Sequence, residues 1–450
     1  MEVLSYQQKI KTSLIYFNII LMNEGLSMKF YKNKKNRILL GNIFSLASLQ
    51  ALNYLLPILI LPFLVRSIGI VNIGVISTAF AISIYFQMFG EYGFNLTATK
   101  EVARQRDDIT YINKLFSAVL YIKIIFLLIG FLIYICIVEL IPEYSHSFLI
   151  FLFTYLITIG QTLFPTWLFQ GFEQMKFITI INGLTKISGA IITIFIVKTP
   201  SDSFLVPLIN GIFAIIGTSL AFIVAYQRLN VRVNSFDAKV ISILLKDGWY
   251  IFQSKIFSTL YKNSNIIILG FFANPTTVGL YSLLERVIRS VQMIQNVLGD
   301  ALFPYVNRNV KRDEILPLLK KYNTKAILFY LSLTFCLIVF SPLISYFLLN
   351  AFNSSFILML CIFSLVLFFG GLSYYYGVLG LISVGKTKSF SSAVLATGVV
   401  NIVLCIVMSK YFDGMGAVIT SVISELMLFC IIVFIICRIE LKKINEKENY

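Results

Sequence analysis

Long apolar stretches, each interrupted by a few polar residues, alternate along the chain with short charged connections. Twelve of these stretches are long enough to cross about 30 Å of hydrocarbon as helices. They lie near 39–64, 73–97, 115–138, 147–168, 177–197, 204–226, 247–272, 279–303, 323–349, 356–380, 387–409 and 415–437. The period-two alternation of a transmembrane barrel is missing, so the pattern predicts an all-α integral membrane protein. Composition agrees: 58% of the 450 residues are hydrophobic and 13% charged, with a mean hydropathy of +0.86, outside the range of ordinary water-soluble domains.

The polar interruptions carry the chemistry. In the seventh stretch Lys255, Ser258, Lys262 and Asn265 share one helical face; in the eighth, Glu285, Arg289, Gln292, Asn296 and Asp300 do the same, with Arg286 beside them. A charge near the bilayer centre costs at least about 2.5–3.5 kcal/mol on insertion scales. Two such stripes point to a hydrated cavity between helices; the alternative is snorkelling and structural pairing. Elsewhere, Ser83, Gln87, Glu91 and Asn95 follow one another at i+4 steps in the second stretch, Lys123 enters the third, Lys186 lies mid-span in the fifth and Glu425 is the deep carboxylate of the twelfth. Two roles stay open for Glu91, a site for a coupling cation or proton and a partner for Lys123. Lys186 has no neutralising neighbour in sequence, so its partner must come from another helix or from a ligand. Pro57 and Pro62 predict a bend in the first stretch, which also carries Asn42, Ser45 and Asn53 along one side.

Charge placement sets an orientation. With the N-terminus inside, cytoplasmic segments hold 28 of the 37 Lys and Arg residues and the opposite side holds three, Arg66, Lys198 and Lys410. That asymmetry predicts both termini on the cytoplasmic side and explains the net charge of +16 without nucleic acid. The remaining six, Lys123, Lys186, Lys255, Lys262, Arg286 and Arg289, lie within spans. Residues 1–37 form a basic N-terminal segment whose apolar run, LIYFNIILM, is too short to cross a bilayer. It is expected to be disordered, with translation starting at Met1 or Met28. The six cysteines fall in or beside apolar spans, where they act as small hydrophobes. The single histidine, His146, reads as a solvated loop residue, and no metal or cofactor site is expected.

Ile73-Gly74-Val75-Ile76-Ser77 aligns with Val278-Gly279-Leu280-Tyr281-Ser282 at an offset of 205 residues, nearly half the chain. This implies two six-helix lobes, 38–226 and 247–437, joined by a basic linker at 227–246, related by a pseudo-twofold axis along the membrane normal and followed by a tail at 438–450. Tyr374, Tyr375 and Tyr376, flanked by glycines, offer rings that could stack on sugars, though helix packing is the favoured role. The outward loops leave no room for a catalytic domain, and nucleotide-binding and hydrolase motifs are missing, so an enzyme is not expected.

Three stretches, EYGFNLTATKEVAR from Glu91, PTWLFQGFEQMK from Pro165 and GLYSLLERVIRS with GDALFPYVNR between Gly279 and Arg308, resemble bacterial O-antigen flippases (Wzx-type). These belong to the polysaccharide transporter branch of the multidrug/oligosaccharidyl-lipid/polysaccharide superfamily. The resemblance spans about residues 28 to 437, with Glu91 where relatives often carry aspartate before YGF. It implies a MATE-like fold of twelve helices around a central cavity, in the bacterial inner membrane. The implied activity moves an undecaprenyl-diphosphate-linked oligosaccharide from the cytoplasmic to the periplasmic leaflet. Lys186, Lys262, Arg286 and Arg289 would then receive the diphosphate and any acidic sugars. Glu91, Lys123, Lys255, Glu285, Asp300 and Glu425 would pair charges or bind a coupling ion, with proton and sodium both open. A polysaccharide polymerase and a chain-length regulator are the protein partners it suggests. The alternatives are a MATE-type multidrug or cation antiporter and a flippase for another lipid-linked glycan: teichoic acid, capsule or a peptidoglycan precursor.

Overall fold

The computed structural model describes residues 34–234 and 237–448, with the side chains of some of these, Lys262 and Asp300 among them, outside the description. The leading segment expected to be disordered falls outside it up to residue 33. All regular elements among the described residues are helical. The first, α1 (Lys34–Glu91), supplies the first two apolar stretches and runs through both of its prolines. Its break comes instead at Gly69, with φ 79° and ψ 163°, a combination that a residue with a Cβ avoids. A second break at Tyr92 (φ 41°) and Gly93 (φ 83°) ends the second stretch near 91, not 97, and starts α2 (Phe94–Arg104). Asp108 then caps α3 (Ile109–Leu140), its side chain accepting from the Tyr111 amide at 3.0 Å.

The first half continues through α4 (Pro142–Ser145), α5 (Phe148–Leu163), α6 (Thr166–Gly171), α7 (Met175–Ile196), a 3₁₀ turn (Pro200–Phe204) and α8 (Leu205–Leu229). Pro165 separates α5 from α6. Trp167 and Phe169 are buried, because α2 packs across α6. Gly171 permits this approach: a Cβ there would meet the Val102 side chain at 2.5 Å. Two of the sequence stretches that carry the family resemblance therefore form one packed unit.

After a linker whose Arg232 and Asn234 amides donate to Asn113 and Ser117 of α3, the second half comprises α9 (Ala238–Phe272), α10 (Pro275–Asn309), α11 (Ile315–Leu349), α12 (Ser354–Phe363), α13 (Leu365–Tyr374), a π-helical turn (Tyr375–Ile382) and α14 (Thr387–Glu448). The last is broken at Asp413 (φ 48°, ψ −132°). Its helix carries on through the expected tail to Glu448, and α9 begins nine residues before the predicted span, capped by Asp237.

Eight helical stretches among the described residues are long and apolar enough to cross a membrane. α10 is not among them despite its 35 residues, because Glu285, Arg286 and Arg289 interrupt it. Outward positions such as Leu132, Phe195 and Phe335 are 67%, 72% and 65% exposed, an apolar surface suited to hydrocarbon. The central core draws on both halves, from Leu61 and Ile68 of α1 to Tyr281 and Leu284 of α10 and Ala417 of α14. The halves meet most closely where α1 crosses α10, with Gly74 against Pro275 and Gly279 against Ile70. At the opposite end Gly93 packs on Ile251, and Gly248 lies under Tyr92.

Candidate functional site

Between the first-half helices and α10 lies a cavity of about 620 Å³, within the range of small-molecule sites. Its floor of leucine, isoleucine and phenylalanine carries amide groups from Asn53, Gln87, Gln161, Asn182 and Asn210, and four charged residues, Glu91, Lys186, Arg286 and Arg289. α10 contributes both arginines because residues three apart share a helix face. It is held along α1 by Ser290, whose hydroxyl donates to the Tyr54 carbonyl at 3.3 Å. The Asn182 and Asn210 amide nitrogens donate to the carbonyls of Ile178 and Val206, one turn back on their own helices. Those bonds leave each side-chain carbonyl and the second N–H of each amide to face a ligand.

The charges are partnered unequally. Arg289 donates to Glu285, one turn away, and to Asn263 Oδ1 on α9 at 3.1 Å. Lys186 is met by another helix, as its sequence context requires, but by a neutral group: its Nζ donates to Asn53 Oδ1 at 2.6 Å. No carboxylate among the described residues lies within ion-pairing distance of Arg286. Glu91 is held by three donors, Gln87 Nε2 at 3.2 Å, Asn95 Nδ2 at 3.1 Å and Lys255 Nζ at 3.4 Å.

That last contact corrects one of the two roles read from the sequence. Glu91 pairs with Lys255 of the second half. Lys123, only 2% exposed, donates to the Thr162 carbonyl at 2.6 Å. The α5 helix stops at Leu163, so the Thr162 carbonyl lies in a terminal turn that lacks its usual donors, and the lysine supplies one. Lys123, Lys255, Glu285 and Glu425 are not in the cavity wall. Glu425 lies over Gly370 on the far side of α10, near Gln292. Lys262 and Asp300 fall among the side chains outside the description. Asn265, expected on the same stripe as Lys255, turns inward to Tyr281 and Ser421 at 3.2 and 2.9 Å.

The tyrosine run packs between helices, as favoured from the sequence. Tyr375 is buried with its hydroxyl donating to the Leu319 carbonyl at 2.8 Å, and Tyr374 lies against Gly299. What sequence reasoning missed is the row of amides from Asn53, Gln161, Asn182 and Asn210. The signal available was the polar side of the first stretch, which includes Asn53; the others are single polar residues in apolar helices.

A family model described as polysaccharide biosynthesis protein matches residues 39–310, more than half of the chain and the whole of the cavity wall. The chain belongs to this family. Among the relatives of this chain, one from Escherichia coli (strain K12) carries the name "Putative O-antigen transporter". It is 28% identical over 387 residues, covering 85% of this chain and 93% of the relative. One of the same name from Shigella dysenteriae is 25% identical over 394 residues, covering 86% and 97%. The fold is shared with an inward-facing multidrug resistance MATE family transporter of the MOP superfamily (TM-score 0.67, 13% identity, 89% of this chain and 99% of that one). It is also shared with the lipid II flippase MurJ in an inward closed conformation (TM-score 0.65, 16% identity, 88% and 87%). The family member described here is a multi-pass, all-helical membrane protein with that architecture.

Proposed function

We propose that this protein is a flippase that carries undecaprenyl-diphosphate-linked O-antigen or related repeat units from the cytoplasmic to the periplasmic leaflet of the bacterial inner membrane. The observation that carries this reading is Arg286, a guanidinium with no carboxylate within ion-pairing distance among the described residues, on the wall of the same cavity as Lys186 and Arg289. An uncompensated cation in an apolar protein is costly and is repaid when an anionic head group binds it by charge-assisted hydrogen bonds. The amide carbonyls of Asn182 and Asn210 suit sugar hydroxyls. The names of the two bacterial relatives and the description of the family support the same substrate class. An exporter of organic cations fits less well, since Lys186 and Arg286 would repel its cargo.

In this reading the chain forms twelve spans in two six-helix lobes, with Gly69 and Asp413 dividing α1 and α14 into two spans each. The reciprocal contacts of Gly74 and Gly279 support a pseudo-twofold between the lobes. Both termini are cytoplasmic by the charge asymmetry, and the two lobes rock about the cavity to open it to each side in turn. Transport requires no catalytic residue. A proton or sodium gradient, biasing the two states through Glu91, is the proposed driving force.

The test is genetic and chemical. In cells lacking the protein, lipid-linked repeat units should accumulate on the cytoplasmic face and surface polysaccharide should disappear. Wild-type protein should reverse both, and Arg286→Ala, present in the membrane at equal amount, should not. Normal surface polymer with Arg286→Ala would remove the assigned role of the cavity.

A further inference from the structure

A cation within a membrane helix bundle usually takes a carboxylate partner, yet the half-buried Lys186 has an amide. Asn53 Oδ1 accepts from Lys186 Nζ at 2.6 Å, and both residues line the cavity. The pairing is built into the packing of α1 on α7. About two helical turns away, Thr179 Oγ1 donates to the Ser45 carbonyl at 2.7 Å, and within one turn of the pair Leu52 lies against Gly183. Of the four charged residues in the wall, Glu91 is paired with Lys255 and Arg289 with Glu285. Among the described residues Lys186 and Arg286 have no carboxylate within ion-pairing distance, Glu285 being engaged by Arg289.

We propose that Asn53 is a positioning residue: it fixes the Lys186 ammonium toward the cavity without cancelling its charge. Lys186 and Arg286 together then match a ligand with two negative charges, the diphosphate diester of a lipid-linked sugar. This rests on the flippase reading for the identity of the ligand. An aspartate at position 53 would hold Lys186 equally well but would neutralise it, and any anion would then have to break an ion pair to bind. A neutral amide gives orientation and leaves the field intact.

Purified protein can be tested with inorganic diphosphate as the probe, alongside transport of lipid-linked sugar in cells. Asn53→Asp should weaken diphosphate binding by about tenfold or more and reduce transport to the level of Lys186→Ala. Asn53→Gln, which keeps a neutral acceptor, should retain most of both. Exchanging the two groups, Asn53→Lys combined with Lys186→Asn, should restore binding because the pair is rebuilt with the charge on the other helix. A natively melting Asn53→Asp that binds and transports as wild type overturns the inference. If that variant fails to fold, the exchanged pair decides: folded protein without diphosphate binding overturns it equally. Wild type that binds diphosphate but moves no lipid-linked sugar would instead defeat the flippase reading, leaving the role of Asn53 in anion binding intact.

Discussion

Gly74 and Gly279, 205 residues apart in the chain, occupy reciprocal positions in the seam between α1 and α10. A Cβ on Gly74 would collide with the Pro275 carbonyl and a Cβ on Gly279 with the Ile70 carbonyl. Positions 70 and 275 are separated by the same interval as 74 and 279. Each glycine thus meets the residue equivalent to the one its counterpart meets, the signature of a two-fold contact made here within a single chain. Backbone-to-backbone approach of this kind holds helices together in a membrane, where no hydrophobic force acts between them.

The first prediction concerns that seam. Gly279→Ala should destabilise the protein by about 1–3 kcal/mol, as overpacking does, and should loosen this end of the molecule. Thermal unfolding in detergent gives the first effect. Labelling of a cysteine placed at Ile70, compared with and without the alanine, gives the second.

The opposite end should respond in the same way but independently. A Cβ on Gly248 would meet the Tyr92 carbonyl at 2.8 Å, beside the stacked rings of Tyr92 and Phe252, 4.8 Å apart. Gly248→Ala is therefore expected to increase labelling of a cysteine at Ile251 while leaving position 70 protected.

Much of this arrangement is legible in the sequence, and what is not has identifiable causes. The repeat around Gly74 and Gly279 and the intramembrane charges can be read directly, because glycine and charge are rare and informative in apolar helices. The break at Gly69 falls in the connection predicted between the stretches 39–64 and 73–97, whereas Pro57 and Pro62, expected to bend the first, do not interrupt the helix, whose geometry continues through both. The partners of the charges escape because they lie far away in sequence: Asn53 is 133 residues from Lys186 and Glu91 is 164 from Lys255. Lys123 looked like a partner for Glu91, whereas its acceptor is a carbonyl freed by the end of α5, invisible to any pairing of side chains.

Lys123 gives a further prediction. It lies outside the cavity wall and ties α3 to the end of α5, so Lys123→Met should cost about 1.5–3 kcal/mol, the range for a hydrogen bond to a charged group. Diphosphate binding by the folded fraction should be unchanged. Unfolding curves and binding measured on the same preparation separate the two.

Glu91 and Lys255 link the halves through one ion pair. Single replacements Glu91→Gln and Lys255→Gln should each slow transport. A double-mutant cycle should return a coupling energy of about 0.5–3 kcal/mol in stability, as expected for residues in contact. Transport by Glu91→Gln that keeps full sensitivity to ion gradients would argue against its role in coupling.

The proposed function requires above all that Lys186 and Arg286 receive an anionic head group, and reconstituted transport tests this most directly. Purified protein in liposomes, supplied with an undecaprenyl-diphosphate-linked sugar labelled on one leaflet, should move label to the other leaflet, whereas the Lys186→Ala, Arg286→Ala double variant should not. Equal transfer by the folded double variant and by wild type would contradict the account.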